Sequence, residues 1–93
     1  MACIDIDALT QYEAEARDGR ADALYNLGLA YSTGQGVSVD YIAAHKWFNL
    51  AAMRGIEPAK NWRAQLSAEM SAAQIAEAQR QAREFLSSVR MAA

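Results

Sequence analysis

The stretch "LGLAYSTGQGVSVDYIAAHKWFNLAAMRG", residues 27–55, joins two helical patterns across a glycine-rich turn. The first pattern places apolar or small residues at helical offsets of three and four, at Leu24, Leu27, Gly28 and Tyr31. The second is bounded by Asp40, an expected N-cap, and Gly55, an expected C-terminal stop. Between them, Gly34 and Gly36 can adopt the positive φ angles that a sharp reversal needs. The stretch therefore predicts two antiparallel helices.

The same turn could be mistaken for a phosphate-binding loop, because "STGQGVS" is rich in glycine and hydroxyl side chains. A P-loop follows a strand and continues into Lys-Ser/Thr, whereas this segment follows a helical pattern and lacks that ending. We therefore interpret it as a structural turn. Val37 and Val39 are expected to fold onto the first turn of the next helix as a hydrophobic staple.

Composition and periodicity predict an all-α chain. Alanine is abundant and β-branched residues are sparse, which favours helix over strand. Pro58 fits the first turn of a helix, and Ser71 with Gln74 forms a capping box before the last one. Short connections make consecutive helices antiparallel neighbours within one domain. The expected helices cover approximately residues 7–18, 21–33, 40–54, 57–69 and 72–88, and the last has an apolar stripe of Ile75, Ala78, Ala82, Phe85, Leu86 and Val89.

Net charge and cysteine content argue against several classes of partner and binding site. A net charge of −2 and a pI near 5.2 argue against nucleic acid or an anionic membrane as the main partner. Cys3 is the single cysteine, so no internal disulfide or cysteine-based metal site is expected, and we interpret it as a spectator. With no leader pattern and no long apolar run, the chain is expected to be cytoplasmic.

No group of residues predicts catalysis, a metal or a cofactor. His45 is expected to lie beside Lys46 on the solvent side of its helix, with no acidic or thiol side chain at a helical offset. Glu13 and Glu15 are two residues apart and do not face each other on a helix. Trp47 is expected in the core, whereas Trp62 could be either a packing residue or a ligand platform. We therefore expect a protein that is not an enzyme.

A repeat period of 36 residues relates Gly19 to Gly55, Ala23 to Ala59 and Tyr12 to Phe48. Residues 23–59 resemble one full copy of the Sel-one-like repeat, a relative of the tetratricopeptide repeat. The resemblance is carried by Ala23, Leu27, Gly28, Tyr31, Gly34, Gly36, Val37, Asp40, Ala44, Trp47, Ala51, Ala52, Gly55 and Ala59. The flanking helices are similar to half-copies. The next copy has Arg63 where the signature has leucine, so it is degenerate.

The resemblance implies an α–α superhelix, a tetratricopeptide-like solenoid fragment of about five antiparallel helices whose last helix is a cap. It also implies a non-catalytic scaffold or adaptor that binds a protein partner. A self-associating, homodimeric protein is the alternative, because solenoids usually need about three repeats for stability.

The resemblance further implies that a partner binds the non-core flank of the first helix of each pair. The second helix of this chain is such a first helix. Its non-core flank carries Asp22, Tyr25, Leu29 and Ser32, and Arg63 on the fourth helix could border it. Tyr25 and Leu29 are four residues apart and therefore adjacent on the helix surface. They could be an exposed binding pair, or the fourth helix could cover them.

Overall fold

The computed structural model describes the backbone of residues 6–89, with side chains from residue 8 onward. Its five helices are α1 (Ile6–Arg17), α2 (Ala21–Thr33), α3 (Tyr41–Met53), α4 (Glu57–Glu69) and α5 (Ala72–Val89). No strand occurs within this range, which confirms the all-α prediction. Cys3 lies outside the described residues.

The helix boundaries follow from local capping. The Asp40 carboxylate accepts a hydrogen bond from the Ala43 N–H at 3.1 Å, which begins α3. Pro58 occupies the first turn of α4, where a missing N–H costs no helical hydrogen bond. The capping box before α5 is complete, because Ser71 N–H donates to Gln74 Oε1 at 2.9 Å and Gln74 N–H donates to Ser71 Oγ at 3.1 Å. These three boundary predictions are confirmed.

The turn between α2 and α3 reverses the chain through two left-handed glycines. Gly34 has φ 78° and Gly36 has φ 80°, as predicted. Val37 is half-buried against the core, but the expectation that Val39 also packs down is wrong, since it is 54% exposed. The Val39 side chain instead turns back toward Gly34, where a Cβ would lie 3.1 Å from Val39 Cγ2.

The most extensive helix–helix contact among the described residues joins α2 to α3. Gly28 lies against the ring of Phe48, and a Cβ on Gly28 would come within 2.6 Å of that ring. Phe48 is consequently fully buried, as are Leu24 and Leu27 on the facing side of α2. The missing side chain at Gly28 is what allows the two helices to approach this closely.

Helix α3 is the centre of the molecule and makes the principal contacts with α2, α4 and α5, while α1 packs mainly on α2. Trp47 is buried, as predicted, and its ring meets Phe85 of α5 edge-to-face with 5.0 Å between centroids. Lys46 Nζ lies 4.2 Å from the centroid of the Trp47 ring.

The apolar stripe of α5 faces the core as expected, with Ala78, Ala82 and Phe85 buried and Ile75, Leu86 and Val89 partly buried.

Gly28→Ala should destabilise the protein even though alanine is the better helix former. The added Cβ overpacks the Phe48 ring, which typically costs about 1–3 kcal/mol and lowers Tm by roughly 4–8 °C per kcal/mol for a domain of this size. Gly28→Leu should lower Tm further. Thermal unfolding measures both. Combining Gly28→Ala with Phe48→Leu should cost less than the sum of the single changes, because the clash is shared. A rise in Tm for Gly28→Ala would contradict this account of the seam.

Gly34→Val should also lower the free energy of unfolding, because a side chain at positive φ costs roughly 1–2 kcal/mol and its Cβ would crowd Val39. Gly36→Val is expected to act in the same direction. The control is Ser38→Val, which places the same side chain at an exposed position of the turn. Adding a nucleotide or phosphate should leave the Tm of the unsubstituted protein unchanged. A ligand-dependent increase would instead make the turn a binding site.

Candidate functional site

An aromatic pair connects α2 to α4 at a half-buried surface. Trp62 Nε1 donates a hydrogen bond to the hydroxyl of Tyr25 at 3.1 Å. The Trp62 ring stacks on Phe48 with 5.7 Å between centroids and 8° between planes, and Tyr25 meets Phe48 at 5.7 Å and 58°. Helix α4 therefore covers part of Tyr25 and leaves the rest accessible. The sequence could have indicated this pair, because Tyr25 and Trp62 are 37 residues apart, which is nearly one repeat period.

The other candidate residues of α2 lie along the same stripe, at offsets of three, seven and ten from Asp22. Asp22 is exposed and lies 3.6 Å from the guanidinium of Arg20, which is exposed as well. Leu29 is half-buried and packs against the core. The Ser32 hydroxyl donates to the Leu29 carbonyl at 3.1 Å, so it bonds to its own helix. The stripe thus combines an acidic end with an aromatic–aliphatic middle.

Arg63 lies on a different side of α4 from Trp62. Its guanidinium donates to Asn49 Oδ1 of α3 at 2.7 Å. Neighbouring residues of a helix point about 100° apart, which explains why Trp62 reaches α2 while Arg63 reaches α3. The structure therefore brings Trp62 to the α2 stripe and places Arg63 in the seam between α3 and α4.

The prediction that His45 is exposed is wrong. Its side chain is only 3% exposed, and its Nε2 lies 3.0 Å from the Ser67 hydroxyl of α4. Nδ1 is buried and has no hydrogen-bond partner among the described residues. Burial lowers the pKa of His45, and the nearby Arg63 cation lowers it further. The solvent side assigned from the pattern of α3 is in fact covered by α4.

Tyr31 lies in an open groove formed with the turn and the first turn of α5, and burial raises its pKa, with Glu13 and Asp40 raising it further. The phenol is thus protonated at neutral pH. Within residues 8–89, no group of three His, Cys, Asp or Glu side chains is placed to hold a metal ion. None of the helices described is long and apolar enough to cross a membrane.

Tyr25→Phe should lower the free energy of unfolding by about 1 kcal/mol, because it leaves the Trp62 indole N–H without its acceptor. Denaturant unfolding followed by the fluorescence of Trp62 in a Trp47→Phe background measures the loss. Tyr41→Phe removes the same hydroxyl from an exposed position and serves as the control, with an expected change of only a few tenths of a kcal/mol. Equal losses in the two variants would contradict a structural role for the Tyr25–Trp62 bond.

Comparison with known protein families finds a match in the middle of the chain. The family model of the Sel1 repeat matches residues 21–56, which are α2, the turn, α3 and the residues leading to α4. No curated protein and no solved structure matches the chain. Sel1 repeats generally mediate protein–protein interaction and are typically non-catalytic. The match at residues 21–56 and the packed helices are consistent with a Sel1-like repeat protein.

Proposed function

We propose that the chain is a non-catalytic scaffold or adaptor module whose α2–α4 surface binds a protein partner. The partner face consists of Asp22, Tyr25, Leu29 and Ser32 on α2, together with Trp62 on α4. The Sel1 repeat supports the class of function. The observation that supports the position is the Tyr25–Trp62 pair, in which two half-buried aromatic side chains from successive first helices meet at one surface.

The composition of the partner face suits protein recognition. Tyrosine and tryptophan combine a large apolar area with a polar tip, and they are enriched among the residues that contribute most to binding energy. Here both rings are held in place by stacking or tilted contacts with Phe48, so little side-chain entropy is lost on binding. Preorganised aromatic side chains are what an anchoring site requires.

Asp22 gives the partner face an acidic rim. Its ion pair with Arg20 joins two exposed groups at 3.6 Å, and such pairs contribute little to stability. The carboxylate can therefore exchange this partner for a cation on another protein at low cost. The face suits a segment that presents an apolar side chain beside a lysine or arginine.

In this proposal Arg63 positions Trp62 through α4. Its bond to Asn49 holds α4 against α3 and thereby keeps Trp62 beside Tyr25. The proposal involves no cofactor, metal or nucleic acid. A location in the cytoplasm remains a prediction.

The double variant Asp22→Lys with Leu29→Ser should reduce partner capture at least tenfold at a temperature where circular dichroism shows it to be folded. Because Leu29 is half-buried, the Tm of the double variant should fall by more than that of Asp22→Lys alone. The reversed charge repels a basic segment, and the shortened side chain removes the aliphatic anchor. Partners cross-linked to the immobilised unsubstituted protein are identified by mass spectrometry, and their binding to the variant is then measured by titration. Light scattering on the purified protein determines whether the captured partner is a second copy of the chain.

Asp18→Lys is the matched control, because it makes the same charge change at an exposed acid in the turn before α2. It should leave binding within twofold of the unsubstituted protein. If the double variant folds and binds the partner normally, the partner face lies elsewhere. If both variants lose binding equally, net charge rather than this surface controls capture.

A further inference from the structure

The buried side chain of His45 lies between α3 and α4, in the contact that positions α4. His45 of α3 contacts Ser67 of α4, and one turn away Asn49 of α3 contacts Arg63 of α4. The stacked Phe48–Trp62 pair belongs to the same seam. These contacts, together with buried Ala59 and Leu66, fix where α4 lies.

We propose that His45 is an acid-sensitive latch, whose protonation releases α4 from α3 and separates Trp62 from Tyr25. The effect on a bound partner rests on the proposed function, whereas the release of α4 does not.

The argument begins with the hydrogen-bonding capacity of the ring. A neutral imidazole has one N–H donor and one acceptor nitrogen, whereas the protonated ring has two N–H donors. The 3.0 Å contact allows Nε2 either to donate to the Ser67 hydroxyl or to accept from it, and the neutral tautomer with its proton on Nε2 leaves no N–H on buried Nδ1. Protonation would place an N–H on buried Nδ1, which has no acceptor among the described residues. A buried, unsatisfied and charged donor is strongly unfavourable.

The charges around His45 act in the same direction. On α4, Arg63 is the charged side chain whose field reaches the ring, and it repels the imidazolium. On α3, the neighbouring Lys46 extends the other way, over Trp47 and toward Phe85 of α5. Among the described residues of the packed helices, no carboxylate shifts the pKa of the ring to offset this repulsion.

Opening of α4 removes these penalties. Once α4 separates, the ring gains water as an acceptor and distance from Arg63. Its pKa in the closed protein lies below the ordinary value of 6.5, which is the value expected when the seam is open. The neutral ring therefore favours the closed seam fully above pH 6.5, and this contribution is lost as the pH falls from 6.5 toward the closed-state pKa. At pH 5.5, linkage raises the open population by up to about tenfold.

Amide hydrogen exchange of the unsubstituted protein at pH 7.5 and pH 5.5 measures the opening. After correction for the intrinsic pH dependence of exchange, the α4 amides should become several-fold less protected at pH 5.5, and those of α2 should not. His45 is the only histidine of the chain, so its ring resonances report its titration without ambiguity. Their midpoint should lie below 6.5.

Two variants test the cause. His45→Gln keeps a neutral polar group near Ser67 and should abolish the pH-dependent exchange of α4. Arg63→Gln removes the nearby cation and should raise the titration midpoint of His45.

The proposal is overturned if the His45 midpoint is 6.5 or higher, or if α2 and α4 lose protection equally at pH 5.5. It is also overturned if His45→Gln retains the full pH response. If His45→Gln does not fold, the titration and the exchange of the unsubstituted protein still decide. None of these measurements uses a partner, so their outcome is independent of the partner face.

Discussion

The contact between Gly28 and Phe48 sets the position of most other elements. Because residue 28 has no side chain, α3 can place an entire aromatic ring against the backbone of α2. Trp62 then stacks on the same ring, and Tyr25 meets it at a tilt. The location of α4 therefore depends on a glycine two helices earlier in the chain. A glycine is unfavourable within a helix by about 1 kcal/mol relative to alanine, and here that cost allows three helices to share one ring.

Local features of the fold could be predicted from sequence, because their causes lie within a few residues. The Asp40 cap, the Ser71–Gln74 box and the left-handed Gly34 and Gly36 each depend on one turn of chain. The buried position of Trp47 followed from helical periodicity and the repeat signature.

His45 could not be predicted in the same way. Periodicity divides a helix into a buried and an exposed side, whereas α3 is covered by α2, α4 and α5 from three directions. The side taken as exposed is the side that α4 covers. The Tyr25–Trp62 contact was predictable only in part for a similar reason, since the spacing places Tyr25 on an outward stripe but does not reveal that Trp62 bonds to it. Interactions between distant segments decide both cases.

The central position of α3 also bears on how the chain loses its structure. In long helical solenoids each repeat contacts only its neighbours, so terminal units can unravel one at a time. Here α2, α4 and α5 all take their principal contacts from a single helix. Removing α3 from this arrangement leaves α4 and α5 without a main packing surface, whereas α1 and α2 keep only each other. A fragment ending with the matched repeat at residue 56 would leave the surfaces of α3 that face α4 and α5 uncovered, so we expect the smallest part of the chain that folds to extend beyond that repeat.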